Sequence, residues 1–311
     1  MPHAFDPELA AALTMMEPTD LSDLAAARAA QKARLAAAVA AADTTGVTVT
    51  ELPGPGVPLR LYRPAAAGSA PLPAVYRIHG GGFTMGHPDV DHEANLRLTR
   101  ALPCAVVSPE YRLAPEHPYP AGLDDCYAGL CWLAEHAAEL GVRPEALAVA
   151  GDSAGACLAA AVALLARDRG GPSLRLQYLD SPSLDDRLTT PSALRFIDTP
   201  IWNRPSALLS WDAYLGAGVP GSPDVPVTAA PGRATAAELA GLPPAHVTVM
   251  ELDPLRDEGI DYARALLAAG VTTELHLYPG TFHGSALVRH SAVARRMAEE
   301  EVAVLGRALA W

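Results

Sequence analysis

Lysine and cysteine are both scarce in this chain of 311 residues. Lys32 is the one lysine, and because an alanine stands three positions before it, a Ser-x-x-Lys catalytic pair is excluded. The four cysteines form no Cys-x-x-Cys pair and lie among apolar residues. We therefore expect reduced, buried thiols at Cys104, Cys126, Cys131 and Cys157.

The chain also lacks a long apolar segment and a secretory leader pattern. Its longest apolar run, residues 154–166, is shorter than the ~20 residues that a bilayer-spanning helix needs. The first eight residues carry no basic cluster followed by an apolar stretch. No membrane-spanning helix is predicted, and we expect a cytoplasmic protein.

The chain also has fewer positively than negatively charged residues. The chain has 23 Lys and Arg residues against 35 Asp and Glu residues, a formal net charge of −12. An acidic protein repels the phosphates of nucleic acids and of anionic lipid surfaces. Neither nucleic acid nor membrane is therefore expected as a partner, whereas neutral or cationic small molecules remain open.

What the chain does contain is an alternation of short apolar strands with longer helical segments. A hairpin-like pair over 46–52 and 58–63 is followed by predicted strands near 74–79, 104–108, 146–150, 174–179, 246–252 and 274–278. Helices are predicted near 91–101, 121–140, 154–169, 257–269 and 285–309. This alternation predicts an α/β fold with a mostly parallel central sheet and helices on both faces.

Two segments depart from the alternation. Residues 1–45 are rich in Ala with helical spacing, which predicts one or two helices outside the main domain of residues 46–311. Residues 185–240 are rich in Pro, Gly, Thr and Trp, with one clear helix near 205–215, and are predicted to contribute to a lid. The apolar face of the first segment is expected to comprise Leu21, Leu24, Ala25, Leu35 and Val39.

A glycine-bounded serine stands between a predicted strand and a predicted helix. Residues 151–155 read Gly-Asp-Ser-Ala-Gly, which fits the Gly-x-Ser-x-Gly pattern. The turn of this pattern is so tight that the serine backbone is strained and its neighbours must lack bulk. We interpret Ser153 as a candidate nucleophile exposed above the sheet, the alternative being an ordinary glycine-bounded turn.

Three consecutive glycines follow the predicted strand near 74–79. His-Gly-Gly-Gly at 79–82 is expected by chance in about one chain in two hundred of this composition. The N–H groups of Gly81 and Gly82, joined by that of Ala154, are predicted to stabilise a negatively charged oxygen, while His79 is predicted to fix the loop. A phosphate-binding loop is the alternative, but no Gly-x-Gly-x-x-Gly or Gly-Lys-Ser/Thr pattern accompanies these glycines.

A serine nucleophile needs a base to take its proton, and the base needs an orienting partner. Asp253 follows the predicted strand near 246–252, and His283 follows the one near 274–278. Because the carboxyl ends of parallel strands meet at one edge of a sheet, these two loops are expected to lie close together. The order Ser, Asp, His after a glycine loop therefore predicts a catalytic triad.

Other titratable residues fit these roles less well. Asp180 ends a strand but would have to reach past Ser153, and Asp257 is expected in the first turn of a helix as a partner of its dipole. His276 alternates within a strand, which indicates a packed or surface residue. The acidic run at 299–301 is expected to be a solvated helix face.

Four residues near position 90 have the chemistry of metal ligands. They precede a predicted helix, where Asp is favoured as a cap, so no metal site is predicted. The four are His87, Asp89, Asp91 and His92.

These motifs together resemble those of the hormone-sensitive-lipase-like esterases, the bacterial family IV lipolytic enzymes, and within them the acetyl esterases of the heroin-esterase type. The resemblance covers nearly the whole chain and rests on residues 79–82, 111–116, 151–155, 253–258 and 282–284. It implies an α/β-hydrolase fold, an N-terminal helical cap at 1–45, short-chain acyl ester substrates and no cofactor. The implied roles are nucleophile for Ser153, triad acid for Asp253, base for His283 and oxyanion donors for Gly81, Gly82 and Ala154.

Two departures from the family pattern concern specificity more than chemistry. Ala156 and Cys157 stand where the family usually has Gly and often Asn, and Ser181-Pro182 stands where many members have Tyr-Pro. Two other functions stay open, a small-molecule receptor without catalysis and an amidase or peptidase. The strand at 274–278, if it lies at a sheet edge, could pair with its copy in a homodimer.

Overall fold

Eight strands of the described residues form one sheet. The structure, a computed structural model, describes residues 4–14, 21–68 and 70–310. The strands are β1 (Val47–Leu52), β2 (Leu59–Pro64), β3 (Leu72–Ile78), β4 (Ala105–Pro109), β5 (Val142–Asp152), β6 (Leu174–Asp180), β7 (Ala245–Leu252) and β8 (Thr273–Phe282). Their order is β1-β2-β4-β3-β5-β6-β7-β8, with β2 antiparallel to both its neighbours and all other pairs parallel. The predicted, mostly parallel sheet is confirmed.

Helices connect the strands and cover both faces of the sheet. They are α1 (Pro7–Leu13), α2 (Leu24–Ala41), α3 (His92–Ala101), α4 (Ala121–Glu135), α5 (Ala137–Leu140), α6 (Ala154–Asp168), α7 (Pro191–Arg195), α8 (Arg204–Leu215), α9 (Ala236–Leu239), α10 (Arg256–Ala268) and α11 (Ala292–Leu309). Short 3₁₀ turns occur at Pro88–Asp91, Pro231–Arg233 and Ser285–Leu287. None of the helices in the described ranges combines the length and hydropathy needed to cross a membrane.

Strand β3 shows why the sheet carries two helical layers. Ala74, Tyr76 and Ile78 pack into the apolar cluster that includes α4, α6 and α10, whereas Val75 packs into the cluster that includes α3 and α11. Successive side chains of a strand point to opposite faces, so a strand with apolar side chains on both faces must be covered on both. The predicted placement of helices on both faces is thereby confirmed.

Helix α6 is buried on all sides. Every residue from 154 to 166 is buried, and most of them are alanines, which allow the helix to lie close against the sheet. Cys157 in this helix is buried with Cys104 and Cys126, while Cys131 is partly exposed, and all four are free thiols. The expectation of a wholly buried set is therefore wrong for Cys131 alone.

Two helices predicted as continuous are interrupted. The segment 121–140 breaks at His136 into α4 and α5, and the second piece ends where Gly141 adopts a positive φ of 61°. The segment 285–309 begins with a 3₁₀ turn and becomes α-helical at Ala292, where the side chain of Ser291 accepts a hydrogen bond from the N–H of Ala294 and caps the helix.

Two face assignments made from the sequence are wrong. In α2, Ala25 is exposed and Ala27 is buried, while Leu24 and Leu35 beside Ala27 on the same face are partly buried. In α11, Glu299 is exposed but Glu301 is buried, so the acidic run is not a solvated face. Consecutive helical residues are rotated by about 100°, so three in a row cannot share one face.

Candidate active site

The turn between β5 and α6 holds Ser153 in a strained backbone conformation. Its φ of 56° and ψ of −119° lie in a region that side chains rarely adopt. A Cβ on Gly151 would lie 2.3 Å from the carbonyl oxygen of Gly155, and one on Gly155 would lie 2.1 Å from that of Ile78. Both glycines are therefore required by the close approach of backbone to backbone, which presents the serine at the carboxyl end of β5.

Backbone hydrogen bonds fasten this turn to the neighbouring strand. The N–H of Ser153 donates to the carbonyl of Asp180 at 2.8 Å, and the N–H of Ser183 donates to the carbonyl of Ser153 at 3.2 Å. The N–H groups of Ala156 and Cys157 also point at the Ser153 carbonyl, at 3.1 and 3.2 Å. The serine is thus held from β6 and from α6, which limits its movement relative to the sheet.

The three glycines after β3 form a loop beside Ser153. Gly81 and Gly82 have φ values of 128° and 58°, and a Cβ on Gly81 would lie 2.2 Å from the carbonyl oxygen of Met85. Among the described residues, none accepts a hydrogen bond from the backbone N–H of Gly81 or Gly82. Such N–H groups are suited to an oxyanion, and the carbonyl of Gly82 is meanwhile held by the Ser210 hydroxyl at 2.6 Å.

His79 supports this loop from below. Its ring is buried, stacks on Tyr111 with 4.3 Å between ring centroids, and donates from Nδ1 to the carbonyl of Gly80 at 2.8 Å. Burial lowers the pKa of His79 to about 4, so the ring is neutral near pH 7. A neutral, enclosed imidazole shapes the glycine loop and does not exchange protons with a substrate.

The acid and the base lie at the ends of β7 and β8. His283 Nε2 is 2.9 Å from Ser153 Oγ, and His283 Nδ1 is 2.7 Å from Asp253 Oδ2. The second oxygen of Asp253 accepts a hydrogen bond from the N–H of Leu255 at 2.9 Å. The three residues that the sequence analysis grouped therefore form one hydrogen-bonded chain across three loops at the carboxyl edge of the sheet.

Opposing effects act on the charge of His283. Burial disfavours the imidazolium, but the charge and hydrogen bond of Asp253, with a smaller contribution from Asp180, raise the pKa of His283 above its ordinary value. Among the described residues, none but Asp253 pairs with its Nδ1. The arrangement lets His283 take a proton at Nε2 while Asp253 stabilises the resulting charge.

The residues weighed as rivals have other partners. Asp180 accepts a hydrogen bond from the Ser181 hydroxyl at 3.2 Å and another from Thr248, whereas the hydrogen bond to Nδ1 of His283 comes from Asp253. Asp257 lies in the first turn of α10 as expected, where it accepts from the N–H of Ser192 at 2.7 Å.

The four residues of metal-ligand type near position 90 are likewise occupied by protein groups. Each of them contacts a polar partner, although Oδ2 of Asp91 and Nε2 of His92 form no hydrogen bond among the described residues. The partners are the Asp89 N–H for His87, Arg60 for Asp89, Arg77 for Asp91 and Tyr62 for His92.

Segment 185–240 supplies site residues that sequence reasoning did not name. The ring of Trp202 lies 5.8 Å from that of His283, and a Cβ on Gly82 would meet this indole at 2.6 Å. Trp211 packs on Phe83 with centroids 5.1 Å apart. The one signal for these side chains in the sequence was the Trp content of a segment interpreted as a lid.

The side chains of Ala156 and Cys157, which depart from the family pattern, do not enter the triad. The thiol of Cys157 donates to the carbonyl of Ala229 at 3.6 Å, and burial raises its pKa well above the ordinary value. Both Ala156 and Cys157 are fully enclosed in the core. The thiol therefore joins α6 to the segment that covers the site and is not a competing nucleophile.

Comparisons with known proteins agree with this geometry. A profile of the alpha/beta hydrolase fold matches residues 75–287. Carboxylesterase NlhH of Mycobacterium tuberculosis is 45% identical over 231 residues, which cover 73% of this chain and 70% of the relative. Ethyl acetate hydrolase of Pseudomonas putida is 34% identical over 243 residues, 76% of this chain and 74% of the relative. The solved structure of a bacterial heroin esterase is 48% identical, with a TM-score of 0.95 and 98% of both chains covered.

Proposed function

This chain belongs to the hormone-sensitive-lipase-like family of α/β-hydrolases and is a carboxylesterase, and from this premise we propose that it cleaves short-chain, acetyl-type esters through an acyl-enzyme on Ser153. The observation that carries the proposal is the pair of distances, 2.9 Å from Ser153 Oγ to His283 Nε2 and 2.7 Å from His283 Nδ1 to Asp253 Oδ2. Both distances are those of hydrogen bonds within a serine-hydrolase triad.

In the first half of the reaction, Ser153 Oγ attacks the ester carbonyl carbon as His283 Nε2 takes the hydroxyl proton. The carbonyl π electrons move to the oxygen, and on collapse the alkoxy group leaves with the proton that His283 returns. In the second half, water loses a proton to His283 and attacks the acyl-enzyme, which releases the carboxylic acid and restores the serine. Asp253 takes up no proton itself, and it stabilises the imidazolium in both halves of the reaction.

The tetrahedral intermediates carry a negative oxygen, for which we propose Gly81, Gly82 and Ala154 as N–H donors. The positive φ values of the two glycines and the position of Ala154 as the first residue of α6 support this role. A single donor of this kind is typically worth ~10²- to 10³-fold in rate. Together with the proposed triad, these three donors supply the base and the charge stabilisation that ester hydrolysis requires.

Bulky side chains around the oxyanion loop favour a small acyl group. Trp202 is only 7% exposed, and its ring faces both Gly82 and His283. Phe83, Trp211 and Tyr214 form a packed aromatic group directly behind the same loop. The name of one relative, ethyl acetate hydrolase, specifies an acetyl ester as that protein's substrate, which supports the proposal.

We propose residues 1–45 as a cap on the catalytic domain 46–311, with 185–240 as a second covering segment. In support, Arg28 of α2 donates to the carbonyls of Thr84 and Ala114, both at 2.7 Å, and Gln31 accepts from the N–H of Gly86 at 3.0 Å. Helix α2 thus contacts the chain directly after the oxyanion glycines. Helix α1 lies near the His283 loop, where Leu9 packs in one cluster with Phe282.

Replacement of the serine tests the reaction. Ser153→Ala should lower kcat/KM for p-nitrophenyl acetate by about 10⁴-fold or more, because the nucleophile is lost while binding remains. The variant should also fail to react with a fluorophosphonate probe, which labels activated serines. Ser173→Ala, at an exposed serine, is the matched control and should behave as the wild type. Unchanged turnover or labelling in Ser153→Ala would remove the proposed nucleophile.

A series of p-nitrophenyl esters tests the acyl preference separately. We expect kcat/KM to be highest for acetate or butyrate and to fall steadily toward laurate, because the aromatic walls leave little room for a long chain. A maximum at laurate would contradict the short-chain proposal and leave the serine mechanism intact.

A further inference from the structure

A second cluster of chemically reactive side chains lies far from Ser153. It is formed by His246 on β7, His276 on β8 and Glu300 on α11. One donor atom from each of these residues lies within 4.8 Å of those of the other two. His246 and Asp253 stand at opposite ends of the same strand, seven residues or about 23 Å apart, so the cluster is separate from the triad.

The histidine at the centre of the cluster has no hydrogen-bond partner among the described residues. His246 is completely buried, yet neither of its ring nitrogens lies within hydrogen-bond distance of a partner among the described residues. Ring stacking on Tyr178, with centroids 5.0 Å apart, fixes the plane of the imidazole and satisfies neither nitrogen. Buried polar atoms nearly always have a partner, and the two nitrogens of His246 face the carboxylates of Glu274 and Glu300 at 3.6 and 3.9 Å, which leaves room for a bridging ion.

The contacts select one donor atom on each residue. Nε2 of His246 lies 3.9 Å from Oε1 of Glu300, too far for a hydrogen bond, and Nδ1 of His276 contacts the same oxygen. Two imidazoles and one carboxylate are a donor set that zinc uses in proteins, with water as the fourth ligand. Zinc bonds imidazole nitrogen at about 2.0–2.1 Å, so tetrahedral ligands stand about 3.4 Å apart and small side-chain rotations suffice here.

Glu274 supports both histidines from the outer side. Its carboxylate lies 3.6 Å from Nδ1 of His246 and 3.2 Å from Nε2 of His276, the nitrogens that face away from Glu300. Histidine ligands of metals commonly donate their other N–H to such a carboxylate, which fixes tautomer and orientation. Arg307 holds Glu274 in place at 2.9 Å. The two carboxylates also balance the double charge of a divalent cation.

We propose that His246, His276 and Glu300 form a binding site for a divalent transition metal, with Zn²⁺ as the fitting ion. Tyr278 donates to Oε2 of Glu300, which leaves Oε1 directed at the two histidines. His276 is about one-third exposed, so the site opens to solvent for entry of the ion and for a water ligand. The bound ion joins β7 and β8 to α11 and acts on stability, without contact to the triad.

Titration of the tag-free full chain with zinc tests the site. After EDTA treatment and dialysis, isothermal titration calorimetry should show one Zn²⁺ per chain, and Mg²⁺, which prefers oxygen ligands, should not bind. Zinc at 100 times its Kd should raise the Tm by about 5 °C, and EDTA should reverse the rise.

Variants identify the ligands while the fold is preserved. His276→Ala, at the most exposed ligand, and Glu300→Gln should each weaken zinc binding by about 100-fold or more, and Glu274→Gln by about 10- to 100-fold. His290→Ala, at an exposed histidine outside the cluster, is the control and should bind as the wild type. Turnover of p-nitrophenyl acetate by His276→Ala should match the wild type and verifies folding. Absence of saturable zinc binding, or equal affinity in wild type and His276→Ala, would overturn the site.

Discussion

At the scale of single residues, the charge of His283 is the property on which the proposed chemistry depends. The ring is buried, which disfavours its protonated form, yet Asp253 contacts it at 2.7 Å and raises its pKa above the ordinary value. General-base action requires the neutral ring, so kcat/KM should fall as the pH is lowered through the pKa of His283. His79, the other buried histidine of the site, has its pKa lowered to about 4 and does not contribute to that decline near neutrality.

Removal of the Asp253 charge should move this pH dependence in a defined direction. In Asp253→Asn, burial continues to disfavour the imidazolium while the stabilising carboxylate is gone, so the midpoint of the acid limb should move to lower pH. The plateau rate should also fall by about 10⁴-fold, because the amide no longer orients the ring. The measurement is kcat/KM for p-nitrophenyl acetate against pH at constant ionic strength.

Asp261→Asn, at an exposed carboxylate of α10, provides the control and should leave both midpoint and plateau unchanged. An acid limb with the same midpoint in Asp253→Asn and wild type would contradict the assignment of Asp253 as the partner of His283.

At the scale of elements, helix α2 is joined to the loop behind the oxyanion glycines mainly through Arg28. Its guanidinium donates to the carbonyls of Thr84 and Ala114 and pairs with Glu116, all at 2.7 Å. The two carbonyl contacts are partly buried and hold the backbone at Thr84 and at Ala114. The sequence patterns marked α2 as helical but contained no sign of this arginine's role.

Arg28→Ala should loosen the proposed cap without touching the triad. We expect KM for p-nitrophenyl acetate to rise several-fold with kcat within about twofold, because substrate binding and not transition-state chemistry is affected. Loss of hydrogen bonds to two carbonyls should also lower the free energy of unfolding by about 1–3 kcal/mol. Arg34→Ala, on the exposed side of the same helix, should change neither quantity. Identical kinetics and stability in the two variants would contradict a cap held by Arg28.

Strand β8 is the last strand on its side of the sheet, and Leu275 and Leu277 in it are 38% and 43% exposed. We propose that β8 pairs with its copy in a homodimer, since an edge strand presents unpaired backbone groups. Light scattering at micromolar concentration should give twice the mass of one chain, and Leu277→Arg should give a monomer. Leu267→Arg, at an exposed leucine of α10, should remain dimeric. A monomeric wild type would refute the proposal.

At the scale of the whole molecule, a buried ionic network joins the sheet to the helices of one face. Arg77 of β3 lies within ion-pair distance of Asp91 and Glu301, and Glu301 also accepts from Arg97 at 2.9 Å. Burial opposes the charge of Glu301, but the two arginines lower its pKa. One carboxylate thus connects α11, α3 and the centre of the sheet.

Glu301→Ala should be strongly destabilising for this reason. The substitution leaves Arg77 buried beside fewer negative charges, and breaking such a pair typically costs about 3–5 kcal/mol of unfolding free energy. Urea denaturation followed by circular dichroism gives the value. Glu299→Ala, two positions away on the exposed face, should stay within about 0.5 kcal/mol of the wild type. Equal stability of the two variants would show that the network contributes nothing.

Much of the fold and of the candidate site could be predicted because their determinants are local. Gly151 is required by the approach of Gly155 within a turn only five residues long, and Gly81 and Gly82 by the positive φ values of their own loop. Strands with apolar side chains on both faces demand helices on both. Asp253 and His283 could be located because each directly follows a strand of a parallel sheet, where such loops converge.

The remaining features were decided by tertiary packing alone. Trp202 reaches His283, and Arg28 reaches Thr84, from segments whose patterns carry no information about partners so distant in the chain. The His246, His276 and Glu300 cluster escaped the sequence analysis, which expected no metal and weighed only residues near position 90.

The sequence by itself determined which residues have the chemistry of an esterase and the order of strands and helices that carries them, since these follow from backbone sterics and side-chain periodicity within short windows. Only the tertiary structure decided which distant side chains meet. Ser153 and His283 are 130 residues apart, and their separation of 2.9 Å depends on the register and twist of the whole sheet. Contacts of this kind arise from the packing of complete elements, so no local pattern encodes them.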